Sequence, residues 1–280
     1  MSSIQTEQKV ITNDYVNEPF NVIRCYRGDC IASEHELINE EPLTIRVEGE
    51  PYSVIMRTPG EENFHAAGFC LAEGLVDDFK DFATIGFCED LDPNVVDVRL
   101  SPARRGKVGD LLARRGFISQ TSCGICGKEM VEDMCQIMEP VTDGFSINLD
   151  DAVNCIDRLS EIQTLYRKTR GSHAALLLDS QLDNISVAED VGRHNALDKT
   201  IGKAFIGGKL KEGRVVVLSS RISYEMVQKA ARAHIPIIFS TSRPTALAVT
   251  LGEQLNMTLA CAAREGELIV FCGEERIKRE

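Results

Sequence analysis

Two cysteines two residues apart stand in the run Thr121-Ser122-Cys123-Gly124-Ile125-Cys126-Gly127-Lys128. Thiols at this spacing can reach each other, bind one metal, or take turns on one sulfur atom. A structural zinc site needs four ligands. The chain has no second Cys-x-x-Cys and no His pair at ligand spacing, so zinc would require a pair from each of two chains. A thioredoxin-like redox pair should follow a strand and open a helix, whereas a glycine- and arginine-rich stretch precedes this one. A sulfur relay needs a cysteine that is partly thiolate, and nearby cations lower a thiol pKa. Its persulfide must also travel, and Gly124 and Gly127 give the backbone freedom to do so. The second thiol can hold or expel the sulfur by exchange. Two incidental cysteines in a loop are the plain alternative, but an exposed pair in basic surroundings invites oxidation.

Those surroundings are distinctive. Residues 101–128 hold Arg104, Arg105, Lys107, Arg114, Arg115 and Lys128 against one acid, Asp110, in a chain of formal net charge −12. A solvated loop is the ordinary reading of such a charge run.

Further along, Glu189-Asp190-Val191-Gly192-Arg193-His194-Asn195-Ala196-Leu197-Asp198-Lys199 is dense in polar chemistry. Asp190 can cap the helix that follows, placing Arg193 and His194 in its first turn, where free N–H groups favour an anion. A capped helix with solvated charges explains it equally well. Ser219-Ser220-Arg221 and Ser240-Thr241-Ser242-Arg243 each follow a strand and precede a helix. Ligands of open α/β sheets bind at the carboxyl ends of strands, so the two turns together point to a phosphate-bearing ligand. N-capping accounts for either turn alone. No Walker A loop and no Gly-x-Gly-x-x-Gly is present. His173, at the start of an apolar run, and His65, in a helix, read as core histidines.

The positioning elements follow from pattern. Leu43, Ile45 and Val47 alternate as a strand, Gly49-Glu50 turns, and 52–57 returns. Thr58-Pro59-Gly60-Glu61 reads as a capping box opening a helix that ends at Gly74. Val96, Val98 and Leu100 make another strand. Beyond these, 149–166 is an amphipathic helix, 174–178 and 185–187 flank a turn at Asp179-Ser180, and 193–205 is helical. Strands at 215–218, 235–239 and 257–262 alternate with helices at 222–233 and 244–254, and a strand at 268–271 follows. That alternation predicts parallel pairing through crossover helices. The expected fold is α/β in two domains. A flexible arm covers 1–20. A small α+β N-terminal domain covers 21–145 and carries the basic loop 101–128. A layered, mostly parallel α/β domain with a nucleotide-cofactor cleft covers 146–280.

The totals exclude several classes. The acidic balance argues against nucleic acid and anionic membranes, and no apolar run approaches the ~18 residues of a membrane span. The N-terminus lacks the apolar core of a signal peptide. Most of the ten cysteines, such as Cys70, Cys155 and Cys261, sit singly in apolar patterns. They read as core residues of a protein in a reducing compartment, so a cytoplasmic location is expected.

Thr121–Gly127, Thr169–Ala175, Glu189–Lys199, Ser219–Lys229 and Ala67–Leu75 together resemble the FdhD/NarQ family of formate dehydrogenase accessory sulfurtransferases, over about residues 35–275. The resemblance implies a homodimer that takes persulfide sulfur from a cysteine desulfurase. It would pass that sulfur to the bis-molybdopterin guanine dinucleotide cofactor (Mo-bis-MGD) of formate dehydrogenase. Cys123 matches the family's persulfide cysteine and Cys126 its partner. The cofactor is a bound substrate, with GDP or GMP as mimics. It would lie on Asp190, Arg193, His194, Ser219, Arg221 and Ser242 and on the stretch Ala262-Ala263-Arg264-Glu265-Gly266-Glu267. That stretch lacks the aromatic residue many relatives carry. The resemblance also implies a cytidine deaminase-like second domain, here without the zinc motifs of deamination. A zinc-bridged regulatory module and a thiol reductase are the competing classes.

Overall fold

The computed structural model describes residues 16–87, 93–114, 138–263 and 266–279. Cys123, Cys126, Arg264 and Glu265 lie outside the described residues. Strands β1 (Asn17–Tyr26) and β2 (Asp29–Ile38) form an antiparallel hairpin closed by Arg27 and Gly28, both at positive φ. Residues 17–20, read from the sequence as part of an arm over 1–20, belong to β1. Cys25 and Cys30 face each other across this hairpin as a disulfide, a pairing outside the reading of the cysteines as core thiols. Cys70, Cys155, Cys261 and Cys272 are buried.

A second sheet has the order β4-β3-β6-β5, from β3 (Glu41–Val47), β4 (Glu50–Arg57), β5 (Phe82–Phe87) and β6 (Val95–Leu100). The expected β3–β4 hairpin is present and turns at Glu48-Gly49, both at positive φ. Helix α1 (Glu62–Ala72) crosses from β4 towards β5, and β3 pairs with β6 in parallel. Residues 102–114 form a helix, α2, and not loop. Its sparse apolar residues suffice because one of them, Val108, is buried and Arg104 is anchored by its own bonds. Arg104 donates to the carbonyls of Leu75 (2.9 Å) and Gly74 (2.7 Å) and pairs with Asp77.

The largest sheet runs β13-β12-β11-β10-β8-β9. Its strands are β8 (His173–Leu178), β9 (Asn184–Asp190), β10 (Val215–Leu218), β11 (Ile237–Ser240), β12 (Thr258–Ala262) and β13 (Leu268–Cys272). Helices α5 (Arg193–Ile206), α6 (Tyr224–Arg232) and α7 (Ala246–Gln254) connect them. β10, β11 and β12 are parallel as expected. The sheet is mixed, however, because hairpins attach β9 to β8 and β13 to β12, and β8 runs antiparallel to β10. Runs such as Val-Val-Val-Leu are buried on both faces and carry no signal of direction.

Helices α3 (Leu149–Ile162) and α4 (Thr164–Thr169) divide at Gln163 the single helix expected over 149–166. Short strands β7 (Ile147–Asn148) and β14 (Ile277–Lys278) pair beside α3. Val215, Val217, Leu176, Leu178, Ile237 and Phe239 pack with Ile156 and Leu159 of α3. The alternate residues Val216, Leu218, Leu177 and Ile238 join a larger cluster with α1, α5, α6 and the four-stranded sheet. That cluster draws residues from both sides of position 145.

α1 is buried almost all round, which suits its run of small and apolar residues. A Cβ on Gly68 would overlap the Asp198 carbonyl, and one on Gly202 would overlap that of Phe64. These two glycines let α1 and α5 approach backbone to backbone. Among the described residues, no helix is long and apolar enough to cross a membrane.

Candidate functional site

The strand pairings bring the predicted site residues to one edge of the largest sheet. β10, β11 and β12 end there at Leu218, Ser240 and Ala262, and Ser219 follows β10 directly. β8 runs the opposite way and begins there with His173, opposite Asp190 at the end of β9. From β9 to β12 the edge spans four strand spacings, about 19 Å. That length suits a dinucleotide-sized ligand.

The polar motif residues divide into two groups. One group is consumed inside the protein. Asp190 is fully buried, and its carboxylate accepts from the N–H groups of Thr58 (3.1 Å) and Gly192 (2.8 Å) and from Asn195 Nδ2 (2.8 Å). Lys199 lies 2.7 Å from the same carboxylate and donates to the Thr58 carbonyl at 2.8 Å. Asp190 thus ties the turn before α1 to the start of α5 and offers no open face to a ligand. Asp198 and Lys229 form a second buried pair, at 2.7 and 2.8 Å. Glu189 receives the N–H groups of Leu165 and Tyr166, at the start of α4, and the Ser172 hydroxyl.

The other group stays at the edge. Arg193 and His194 open α5, which has no side-chain cap. His194 pairs with Glu225 in the first turn of α6, and that contact, against the opposing effect of burial, holds the Glu225 carboxyl below its ordinary range. α6 also lacks a side-chain cap at Ser223. Arg193 Nε and Ser223 Oγ are buried atoms without a hydrogen-bond partner among the described residues. His173 Nδ1 lies 3.5 Å from Ser219 Oγ, which accepts the Ala174 N–H at 2.8 Å. Burial first, then the charges of Arg193 and His194, push the His173 pKa down despite Asp190. The imidazole is therefore neutral at pH 7 and able to accept a hydrogen bond. Residue pattern alone reads His173 as a core histidine and does not single out Glu225. The only signals for them are the motif runs in which they lie.

The hydroxyl turns differ from expectation in one respect. α6 starts at Tyr224 and α7 at Ala246, so Ser219 and Ser240 do not cap them. Thr241 Oγ1 donates to the Ser219 carbonyl at 3.1 Å, Ser240 Oγ donates to that of Ser220, and the Ser242 N–H donates to Ser240 Oγ. These bonds lock the two turns side by side. Arg221 and Arg243 project as exposed cations and Ser242 is half-buried. Thr245 caps α7 instead, accepting the Ala248 N–H. Ala262, Ala263, Gly266 and Glu267 belong to the β12–β13 connection at the same edge, where the Ala263 N–H donates to the Glu267 carbonyl at 2.7 Å. Among the described residues no His, Cys, Asp or Glu side chains gather as a metal cluster.

The edge is therefore long and lined with cations, hydroxyls and uncapped helix starts, which is the chemistry of an anion site. Comparison with known proteins agrees with the motif runs. A model of the FdhD/NarQ family matches residues 38–278. The chain belongs to the FdhD/NarQ family. Two similar members carry the name sulfur carrier protein FdhD. The one from Streptomyces avermitilis is 35% identical over 272 residues, covering 94% of this chain and 96% of that protein. The one from Mycobacterium tuberculosis is 37% identical over 268 residues, covering 91% and 96%. A crystal structure described as a formate dehydrogenase accessory protein from Desulfotalea psychrophila shares the fold. Its TM-score is 0.74 at 23% identity, with 94% of this chain and 100% of that one covered.

In this FdhD/NarQ chain the residues flanking the thiol-pair segment are tied down. Asp77 bridges Arg104 of α2 and Arg232 at the end of α6. Burial pushes the Asp77 carboxyl up, but hydrogen bonds from Arg232 and Arg104 outweigh it and hold the group below its usual range. On the far side, Val141 donates to the Leu255 carbonyl at 2.9 Å and accepts from Asn256 Nδ2 at 2.8 Å.

Proposed function

We propose that this chain is a sulfur carrier of the formate dehydrogenase system, a sulfurtransferase that works through a persulfide on Cys123. The reading rests on family membership together with one structural observation: the row of Arg193, His194, Ser219, Arg221, Ser242 and Arg243 along a single sheet edge.

A cysteine desulfurase supplies the sulfur. The Cys123 thiolate attacks the outer sulfur of the desulfurase persulfide, the old S–S bond breaks, and the desulfurase thiolate leaves. Cys126 is the thiol that holds or expels the transferred sulfur. The substrate is Mo-bis-MGD, whose phosphates suit the arginines and helix starts. The orphaned Arg193 Nε and Ser223 Oγ would hydrogen-bond its oxygens. The neutral His173 and Ser219 can accept from its donor groups. Ala262, Ala263, Gly266 and Glu267, at the β12 end of the row, would bound the ligand there. On delivery the Cys123 S–S bond would break with Cys123 leaving as thiolate, and the outer sulfur, at the sulfane level, would become a sulfide ligand of the substrate by taking two electrons from its reduced metal.

Cys123 stands nine residues beyond the end of α2, a reach of up to roughly 30 Å fully extended. The chain acts in the cytoplasm as a homodimer, with GDP or GMP as partial mimics of the substrate.

The test is complementation of cells that lack their own copy of the protein. Wild type should restore formate dehydrogenase activity, and Cys123→Ala should not, at equal protein level. Restoration by the alanine variant would overturn the proposal.

A further inference from the structure

The β1–β2 hairpin carries a thiol pair that the proposed function does not use. Cys25 and Cys30 are cross-strand partners, their Cα atoms 4.1 Å apart, separated by only the turn and its two flanking residues. Both lie in the exposed part of the hairpin. The other four described cysteines are buried, and burial pushes the thiols of Cys155 and Cys272 up to about 11 and raises that of Cys261. Those three are protonated near neutral pH and inert. Among the described cysteines, Cys25 and Cys30 are therefore the ones that solvent thiols can reach.

Their surroundings favour exchange. Arg24 and Arg27 flank the pair against one acid, Asp29, and Arg27 is stacked on the Tyr26 ring at 5.1 Å. Neighbouring cations stabilise a thiolate, whether attacking or leaving. The fixed register keeps the two sulfurs together, so either cysteine can resolve a mixed disulfide on the other. The hairpin belongs to a separate two-stranded sheet, so the bond holds none of the core together. Exposed disulfides are the labile ones, buried structural ones the resistant ones.

We propose that Cys25–Cys30 is a reversible dithiol–disulfide site that exchanges with low-molecular-weight thiols of the glutathione class. In reduction, an external thiolate attacks one protein sulfur. The Cys25–Cys30 bond breaks, the other cysteine leaves as thiolate and takes a proton, and a mixed disulfide forms. A second external thiol attacks that mixed disulfide, releasing the second cysteine and an external disulfide. The protein gains two electrons and two protons, and two external thiols are oxidised. Oxidation by the external disulfide is the reverse.

Peptide mapping of the full chain, equilibrated in graded mixtures of reduced and oxidised glutathione and then alkylated, tests this. Trypsin cuts after Arg24 and Arg27, so the disulfide links fragment 25–27 to fragment 28–46, and reduction separates them. The linked fraction should change at least about tenfold across the series while the circular dichroism stays native. Cys30→Ser should carry glutathione on Cys25 at the oxidising end. Separate alkylation of both cysteines at every ratio would overturn the proposal. So would a linked pair that persists in folded protein at the reducing end, or a Cys30→Ser variant that takes up no glutathione.

Discussion

The Lys199 ammonium lies 2.7 Å from the Asp190 carboxylate, with both side chains wholly inside the protein. The pair joins the turn at Thr58 to the start of α5, and every remaining acceptor position of Asp190 that the fold reaches is filled. Removing one partner strands a buried charge, which costs about 3–5 kcal/mol. Asp190→Ala should lower the urea midpoint accordingly. Replacing both residues by apolar ones of similar volume should recover part of the loss. An Asp190→Ala variant as stable as wild type would show that the pair does not hold the two segments together.

His65 should make stability fall as pH drops below about 6.5. It is fully buried in α1, with neither ring nitrogen hydrogen-bonded among the described residues. Burial, then the charges of Lys199, Lys229 and Arg57, hold its pKa well below the ordinary imidazole range. Because the folded-state pKa is depressed, the stabilisation is complete above the unfolded value of about 6.5 and is lost as pH falls towards the folded value. The loss should reach about 1.4 kcal/mol per pH unit below 6.5. His65→Leu should flatten the stability profile by that proton. Equal slopes for the two proteins between pH 6.5 and 5 would count against it.

Glycines in the helices should respond in opposite directions. Gly68→Ala or Gly202→Ala drives a methyl into the facing helix backbone and should cost about 3 kcal/mol or more. Gly106 in α2 is exposed, and a methyl there would meet no atom within 4 Å, so Gly106→Ala should stabilise by roughly 0.5–1 kcal/mol. Thermal unfolding distinguishes the two classes directly.

Much of the fold is readable from residue pattern. The alternation of strands and helices from Val215 to Ala262 appears with parallel pairing where expected, and the two hydroxyl–arginine turns do meet at one edge. Local signals fail where tertiary contacts take over. Thr58-Pro59-Gly60-Glu61 reads as a capping box, yet α1 starts at Glu62, with Glu61 at φ 67° as its cap residue. The Thr58 hydroxyl instead accepts the Val191 N–H, from more than a hundred positions along the chain. Asp190 reads as a helix cap beside a ligand because a short motif does not reveal which carboxylates are buried. The basic stretch reads as loop because its helix is held by Arg104, whose partners lie on distant turns.

The edge residues should govern guanine nucleotide binding. Arg221 and Arg243 are exposed and form no ion pair with any described residue, so their alanine variants should fold normally. Loss of a hydrogen bond to a charged group, about 1.5 kcal/mol, should weaken GDP or GMP binding roughly tenfold in each variant. Isothermal titration calorimetry would measure this, and unchanged affinity in both variants would move the ligand away from this edge.

The proposed sulfur-carrier mechanism turns on a single thiol, that of Cys123. Wild-type protein incubated with a cysteine desulfurase and cysteine should gain one sulfur by intact mass spectrometry, mapping to the peptide that contains Cys123 and released by a reductant. Cys123→Ala should gain none. A sulfur that still loads onto the alanine variant would contradict the carrier role of Cys123.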